Sequence, residues 1–330
     1  VKFRIGGPPA TRPPAEAVAG ETFHGFGTTV GAWTTDPALV DAVLDHLRAW
    51  VEEVEAGCSR FRGDSDISRA NAGAGAPVAV GRTLIDATAA AIRMAELTDG
   101  LCDPTVGNAV IGAGYDRTFE DVVAHGPGPE GPAQPGGAWR ALRLDPEAST
   151  ITVPDGFRLD LGGSAKGWAV DVALRALDES VLAGHPGAGI CISAGGDLAV
   201  AGTPPAPGWP VAVREHLDAA GDDDAQLFLV RGAVATSGAT ARRWQRGEAI
   251  GHHIIDPRSG RPGQSPWRLV TVFSDSCLVA DAAASTAWLL GRAAPDWLAG
   301  LGLGGRLVDA GGAVVTAGEL GGRVRVGQPE

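Results

Sequence analysis

The sequence is short of cysteine and has no long apolar run, and each shortage closes off a class of protein. Four cysteines, Cys58, Cys102, Cys191 and Cys277, are spread over 330 residues without a CxxC pair. That spacing excludes a disulfide scaffold, a thiol redox motif and a cysteine-rich zinc site, so all four are expected as small buried apolar residues. No stretch approaches the ~18–20 apolar residues of a membrane-spanning helix. Cations are also scarce: 27 Lys and Arg against 39 Asp and Glu leave a formal charge of −12. This balance argues against a nucleic-acid or anionic-membrane surface. Any phosphate bound here must be held locally, by oriented N–H groups, a few cations or a metal. The opening "VKFRIGGPPATRPPAEAVAGE" lacks both an initiator Met and the apolar core of a signal peptide. The cytoplasm is the expected compartment, with a trimmed export signal left open.

Hydrophobic residues make up 44% and charged residues 20% of the chain, enough apolar material for a sizeable core and too little charge for wholesale disorder. Residues 1–21 are rich in Pro and Gly and read as a loose lead-in. "TFHGFGTTVGAWT" alternates like a strand. Asp36–Pro37 then offers an N-cap with Pro at the first helical position. The stripe Val40, Val43, Leu44, Leu47, Trp50, Val51, Val54 follows at helical spacing. A second helix is expected from about Thr83 to Gly100, and residues 121–138 as a surface loop. A third helix follows "LDLGGSAKGWAVD", residues 159–171. The second half reads as short strands between Gly-rich turns, then a helix from about Leu278 to Leu290 and a final strand pair. Strands and helices without regular βαβ alternation predict an α+β fold.

Three constellations carry possible chemistry. The turn Gly162–Gly163–Ser164–Ala165–Lys166–Gly167 ends a strand-like run and opens a helix, a place where amide N–H groups and an ammonium can meet phosphate oxygens. It is no Walker loop, and a solvated lysine on a plain turn is the alternative. Next, Thr236, Ser237 and Gly238 end a strand and are followed by Arg242, Arg243, His252, His253 and Asp256–Pro257. His252 and His253 are adjacent, so in a strand they face opposite sides and only one can serve a given site. Finally, Asp281 and Ser285, four apart on a helix, share a face. A carboxylate with a hydroxyl suits Mg²⁺, although an acidic first turn on a small-residue packing helix would look the same.

Taken in order, "GFGTTV", "CSRFRGDSDISRAN", "CDPTVGNAV…GYDRTF", "LDLGGSAKGWAVD", "ISAGGDLAVAG", "VATSGATARRW", "HHIIDPRSG" and "ADAAASTAWLLG" resemble the ApbE family, the FAD:protein FMN transferases, over about residues 22–310. The resemblance implies a T-fold-like α+β architecture with FAD in a cleft between two lobes, residues 22–330 forming the flavin transferase domain. It also implies an Mg²⁺-dependent reaction that cleaves the FAD pyrophosphate and attaches FMN to a Thr or Ser hydroxyl of an acceptor flavoprotein, releasing AMP. Carried onto this sequence, Asp281, Ser285 and the main chain of Ala165 are the implied metal ligands. His253, as the base for the acceptor hydroxyl, and Asp281, through the metal, are the implied catalytic residues. Phe26, Asp103, Thr105, Tyr115, Gly163, Lys166, Gly195, Gly196, Asp197, Thr236, Ser237 and Arg242 are the implied FAD contacts.

The chain departs from the family pattern in three places. Ser285 stands where threonine is usual, with Thr286 beside it as the alternative ligand. Thr240 stands where tyrosine is usual, and Phe26 where methionine is. Two other readings remain open on sequence alone: an FAD pyrophosphatase that yields FMN and AMP, and a flavin-binding protein with a decayed catalytic site.

Overall fold

The computed structural model describes residues 18–213, 225–240, 242–246, 249–320 and 322–326. The chain forms two compact units. One comprises Val1–Trp50, Lys166–Ala241 and Pro266–Glu330, the other Val51–Ala165 and Arg242–Ser265.

The first unit is built on an eight-stranded sheet whose spatial order is its chain order. The strands are Ala19–Gly25, Thr28–Thr34, Gly189–Ala194, Asp197–Gly202, Gly232–Ser237, Trp267–Ser274, Gly304–Asp309 and Val314–Ala317, and every neighbouring pair is antiparallel. Antiparallel neighbours can be joined by tight turns, and two such turns are Phe26–Gly27 and Gly195–Gly196. The helix Cys277–Leu290 packs on the strands Gly232–Ser237 and Trp267–Ser274, and almost all its residues are buried. A three-stranded sheet, Val324–Val326, Ala225–Leu229 and Trp209–Val213, adds Trp209, Val211 and Val213 to a core with Cys191, Leu198, Val234 and Phe273. The buried residues of Trp209–Val213 recur at every second position, the period of a half-buried strand.

Most expected elements stand where the residue pattern put them. Asp36 caps a short 3-10 turn, accepting from the Ala38 N–H at 3.0 Å, and Val40–Cys58 follows as an α-helix. The expected 83–100 helix runs Arg82–Leu97, and the glycine turn opens the helix Ala165–Ser180. The first strand begins at Ala19, inside the expected lead-in, whose residues 1–17 lie outside the described residues. Cys191 and Cys277 are buried as expected, but Cys58 and Cys102 are only half-buried, and none of the four is in a disulfide.

The second unit holds the helices Asp66–Ala72, Arg82–Leu97, Gly107–Gly112 and Phe119–His125. It also has a small sheet ordered Val78–Ala79, Thr150–Thr152, Arg143–Asp145, and the hairpin Arg243–Arg246 with Ala249–His252. The expected 121–138 loop is shorter and better fastened than composition suggests. Residues 121–125 close a helix. The rest is tied down by the Gly128 N–H to Gly114 O, Gly131 N–H to Gly112 O and Gly136 N–H to Pro257 O at 2.8–3.1 Å. Glycines allow this closeness: a Cβ on Gly131 would lie 2.9 Å from the Gly112 Cα.

Candidate active site

In the first unit, the Gly195–Gly196 turn, Phe26–Gly27 and the C-terminal end of the strand Gly232–Ser237 lie at one end of the sheet. The Gly195 N–H donates to Thr29 O at 2.9 Å, and the register pairs Val30 with Ala194 and Val234 with Leu198. Gly195 and Gly196 have φ of 64° and 105°, backbone that glycine adopts without strain. Phe26 has φ 56°. A bulky side chain held there costs on the order of 1–3 kcal/mol, and such strain collects at functional sites. Thr236 bonds Thr271 hydroxyl to hydroxyl at 2.8 Å, and Ser237 is half-buried beside it.

Asp197 leaves the Gly195–Gly196 turn with its carboxylate hydrogen-bonded to the Lys166 ammonium. Lys166 Nζ also stands 3.3 Å from Asp281 Oδ2. Both carboxylates are buried, so the cluster places two anions and one cation where water cannot screen them. Burial first, and then the neighbouring Asp197, push the Asp281 carboxyl up from 3.8 to about 7, while Lys166 and a hydrogen bond from Gly167 pull the other way. Ser285, one turn along the same helix, donates its hydroxyl to Asp281 O at 3.2 Å and Ala282 O at 3.1 Å, leaving its oxygen lone pairs to accept or coordinate. Thr286 is fully buried and its hydroxyl makes no hydrogen bond. Five residues from Asp281, it lies off the face that Asp281 shares with Ser285.

This donor set fits a hard divalent cation. It offers a carboxylate and a hydroxyl on one helix face, next to a cluster with one excess negative charge. The raised Asp281 carboxyl is what a buried anion short of positive charge looks like. Among the described residues no three His, Cys, Asp or Glu side chains gather as a metal cage. A cation here would draw much of its coordination from main chain, water or substrate, as Mg²⁺ commonly does. Ala165, the main-chain ligand implied by sequence, is the first residue of the helix that carries Lys166.

In the second unit, His253 is half-buried, its Nδ1 3.3 Å from Arg242 O. With the proton on Nδ1, Nε2 is left as the lone-pair nitrogen. Burial first, and then the Arg242 charge, push the imidazole well below its usual 6.5, so the neutral, proton-accepting form persists at physiological pH. His252 is a structural histidine. Its Nε2 meets Gly263 O at 2.9 Å and its Nδ1 accepts from the Ile254 N–H at 3.3 Å.

Three of the implied FAD contacts have side chains engaged within the second unit. Asp103 Oδ1 accepts from the Thr105 N–H at 2.7 Å and its hydroxyl at 2.6 Å, and Asp103 Oδ2 takes the Gly137 N–H. Asp103 and Thr105 therefore lock the shape of the DPT turn. Tyr115 is 7% exposed. Its ring lies 5.5 Å from Trp244 and 5.6 Å from Phe61, with the Arg60 guanidinium 4.6 Å over it. That ring is part of a buried apolar cluster with Ala109, Val110, Val122, Trp244 and Ile255. Gly163 is exposed beside Cys102, whose Sγ is 3.5 Å from its carbonyl.

Sequence reasoning passed over two aspartates of the "LDLGGSAKGWAVD" motif. Asp160 accepts the Gly162 N–H at 2.8 Å and pairs with Arg60 Nε at 2.8 Å, which holds the glycine turn in shape. Asp171 binds the start of the helix Cys277–Leu290. Their signal was a carboxylate on the buried side of a motif, legible only once the partner helix is in place.

A profile of the ApbE family matches residues 26–304. The FAD:protein FMN transferase of Vibrio cholerae serotype O1 is 28% identical over 290 residues, covering 82% of each chain. That of Treponema pallidum is 30% identical over 275 residues, 77% of this chain and 73% of its own. Among solved structures, the flavin transferase ApbE from Vibrio cholerae superposes with a TM-score of 0.69 at 25% identity, over 92% of this chain and 98% of that one. The ApbE protein of Thermotoga maritima gives 0.73 at 24% identity, over 91% and 97%.

Proposed function

Because this chain belongs to the ApbE family, we propose that it is an Mg²⁺-dependent FAD:protein FMN transferase. In this reaction a Thr or Ser hydroxyl oxygen of an acceptor flavoprotein attacks the FMN phosphorus of FAD. The new P–O bond forms as the bond from that phosphorus to the bridging oxygen breaks, and AMP departs with the bridging oxygen. The observation that carries the reading is the Lys166–Asp197–Asp281 cluster, with Ser285 one turn from Asp281. Phosphoryl-type transfer needs positioning and charge neutralisation more than covalent help; this cluster would supply the first directly and the second through the divalent cation its excess negative charge attracts.

Asp281 and Ser285, with the main chain at Ala165, would hold the metal. When bound, Mg²⁺ supplies charge neutralisation at the phosphate oxygens. Lys166 adds a cation for the pyrophosphate, and the Gly195–Gly196 turn lets backbone approach the nucleotide closely. Phe26 presents an apolar face to the flavin, with Thr236 and Ser237 at the same end of the sheet. His253 takes the acceptor hydroxyl's proton on Nε2, and Arg242 steadies the ring through its carbonyl. The acceptor flavoprotein is the macromolecular partner. Among the described residues no helix is long and apolar enough to cross a membrane.

The test is incubation with FAD, Mg²⁺ and a candidate flavoprotein, read by in-gel flavin fluorescence of the acceptor and by AMP release. Transfer with stoichiometric AMP is expected. AMP and FMN released at the same rate with or without acceptor, and no labelled protein, would replace this reading by a pyrophosphatase.

A further inference from the structure

The helix bearing Asp281 and Ser285 starts against the helix bearing Lys166, and one turn of side chains makes the joint. Asp171 Oδ1 accepts the Cys277 N–H at 2.7 Å, and its Oδ2 accepts the Leu278 N–H at 3.0 Å and the Ser276 hydroxyl at 2.7 Å. The Ser276 oxygen accepts the Val279 N–H at 3.2 Å. Three of the four otherwise unpartnered N–H groups of that helix start are thus satisfied from one carboxylate and its hydroxyl relay. One turn earlier on the same helix, Gly167 lies so close that a Cβ would stand 2.7 Å from Cys277 O and 2.8 Å from Leu278 Cα. Lys166 adjoins Gly167, and Asp281 is one turn on from Cys277. The same joint therefore sets both ends of the 3.3 Å Lys166–Asp281 contact.

We propose that Asp171 is a positioning residue for the metal site: it fixes the start of the helix Cys277–Leu290 so that Asp281 and Ser285 meet a divalent cation beside Lys166. The proposal rests on the metal reading of Asp281 given above. Asp171 touches neither metal nor FAD; it acts through the helix start. Supporting residues of this kind typically change metal affinity by about 10–100-fold when altered.

The test is titration calorimetry of Mn²⁺ into the FAD-free full-length protein, with FAD affinity measured separately in EDTA and folding checked by circular dichroism. Asp171→Asn keeps the size and one acceptor oxygen. It should weaken Mn²⁺ binding by about 10-fold while FAD affinity in EDTA changes less than about twofold. Ser276→Ala removes only the relay and should weaken Mn²⁺ binding by about threefold, a smaller step in the same direction. It decides the matter if Asp171→Asn does not fold. Wild-type Mn²⁺ affinity in folded Asp171→Asn, or in Ser276→Ala when the former is unfolded, overturns the positioning role. Asp281→Ala is the control that separates the two readings. Undiminished Mn²⁺ binding there overturns the metal site itself, whereas its loss there with normal binding in the Asp171 variant overturns only the positioning.

Discussion

Asp281→Asn should make the protein more stable than wild type at pH 8 in the absence of divalent cations. The reason is the charge count around Lys166. Asp197 and Asp281 share one ammonium, so one buried carboxylate is in excess, and removing it leaves a balanced pair. The rise of the Asp281 carboxyl from 3.8 to about 7 corresponds to about 4 kcal/mol against the ionised form at alkaline pH. Asparagine keeps the size and a carbonyl that can accept the Gly167 N–H. The contact with Lys166 is already counted in that shift, so the expected gain is a few kcal/mol, about 4 at most.

The pH dependence has a definite sign. The folded-state value lies above the unfolded one, so between about 7 and 3.8 the folded wild type holds the extra proton. It therefore regains stability as pH falls through that window. The advantage of Asp281→Asn should be full above pH 7, shrink below it, and vanish near pH 4. Urea unfolding followed by fluorescence of the nine tryptophans, in EDTA at pH 8, 6 and 4.5, measures this directly. Mg²⁺ at pH 8 should raise the wild-type midpoint and leave the variant unmoved. A variant no more stable than wild type at pH 8, or one whose advantage ignores pH, would refute the argument.

Lys166→Ala should weaken FAD binding in the presence of Mg²⁺ by about 1–3 kcal/mol, the size of a lost charge-assisted contact; calorimetry showing a change within ~0.5 kcal/mol would mean a bystander lysine. Ser285→Thr should keep Mn²⁺ affinity and Ser285→Val reduce it, while Thr286→Val should leave it unchanged, since that hydroxyl is buried off the shared face; the reverse pattern in a Mn²⁺ titration would move the ligand to Thr286. His253→Ala should lose about 10²–10⁴-fold in flavin transfer, the usual value of a positioned base, with FAD binding kept. His252→Ala should instead lower stability, having lost two buried hydrogen bonds, and retention of full transfer by His253→Ala would place the base elsewhere. Because burial holds His253 well below 6.5, transfer should not fall between pH 7 and 6 as an ordinary histidine would dictate, and the cost of keeping it neutral should cut stability only as pH drops below 6.5.

Where the sequence could be read, a short-range physical rule was at work. The Asp36–Pro37 start, the stripe of Val40–Cys58 and the opening of a helix after the glycine turn depend on neighbours a few residues away. Asp281 and Ser285 were legible as a pair for the same reason, four residues on one helix. The packing of Tyr115 was not legible because an aromatic in a motif gives no sign of how many rings will meet it; Trp244 and Phe61 arrive from distant parts of the chain. The bracing of its turn by Asp103 was equally hidden, since its partner Gly137 sits at the end of a segment whose composition suggests a slack loop. The role of Asp171 depends wholly on a helix more than a hundred residues later, as the 105–107-residue separations of its three hydrogen bonds show.

The lysine of the glycine turn poses the question that the site as a whole answers. A turn of this kind directs an ammonium at an anion, and in this chain the ammonium is already engaged by Asp197 and Asp281. On the proposed reading, the pyrophosphate of FAD brings two further negative charges to a cluster that is already one short of balance. Mg²⁺ alone would overshoot that deficit by one charge, and FAD alone would deepen it to three. With both bound, the charges of metal and pyrophosphate cancel and the site returns to the single excess negative charge of the empty cluster. In a site this poorly screened, each makes the other's arrival more favourable, and by reciprocity the coupling is the same in both directions. The excess carboxylate that costs the empty protein stability is therefore the feature that makes it select for metal and dinucleotide as a pair.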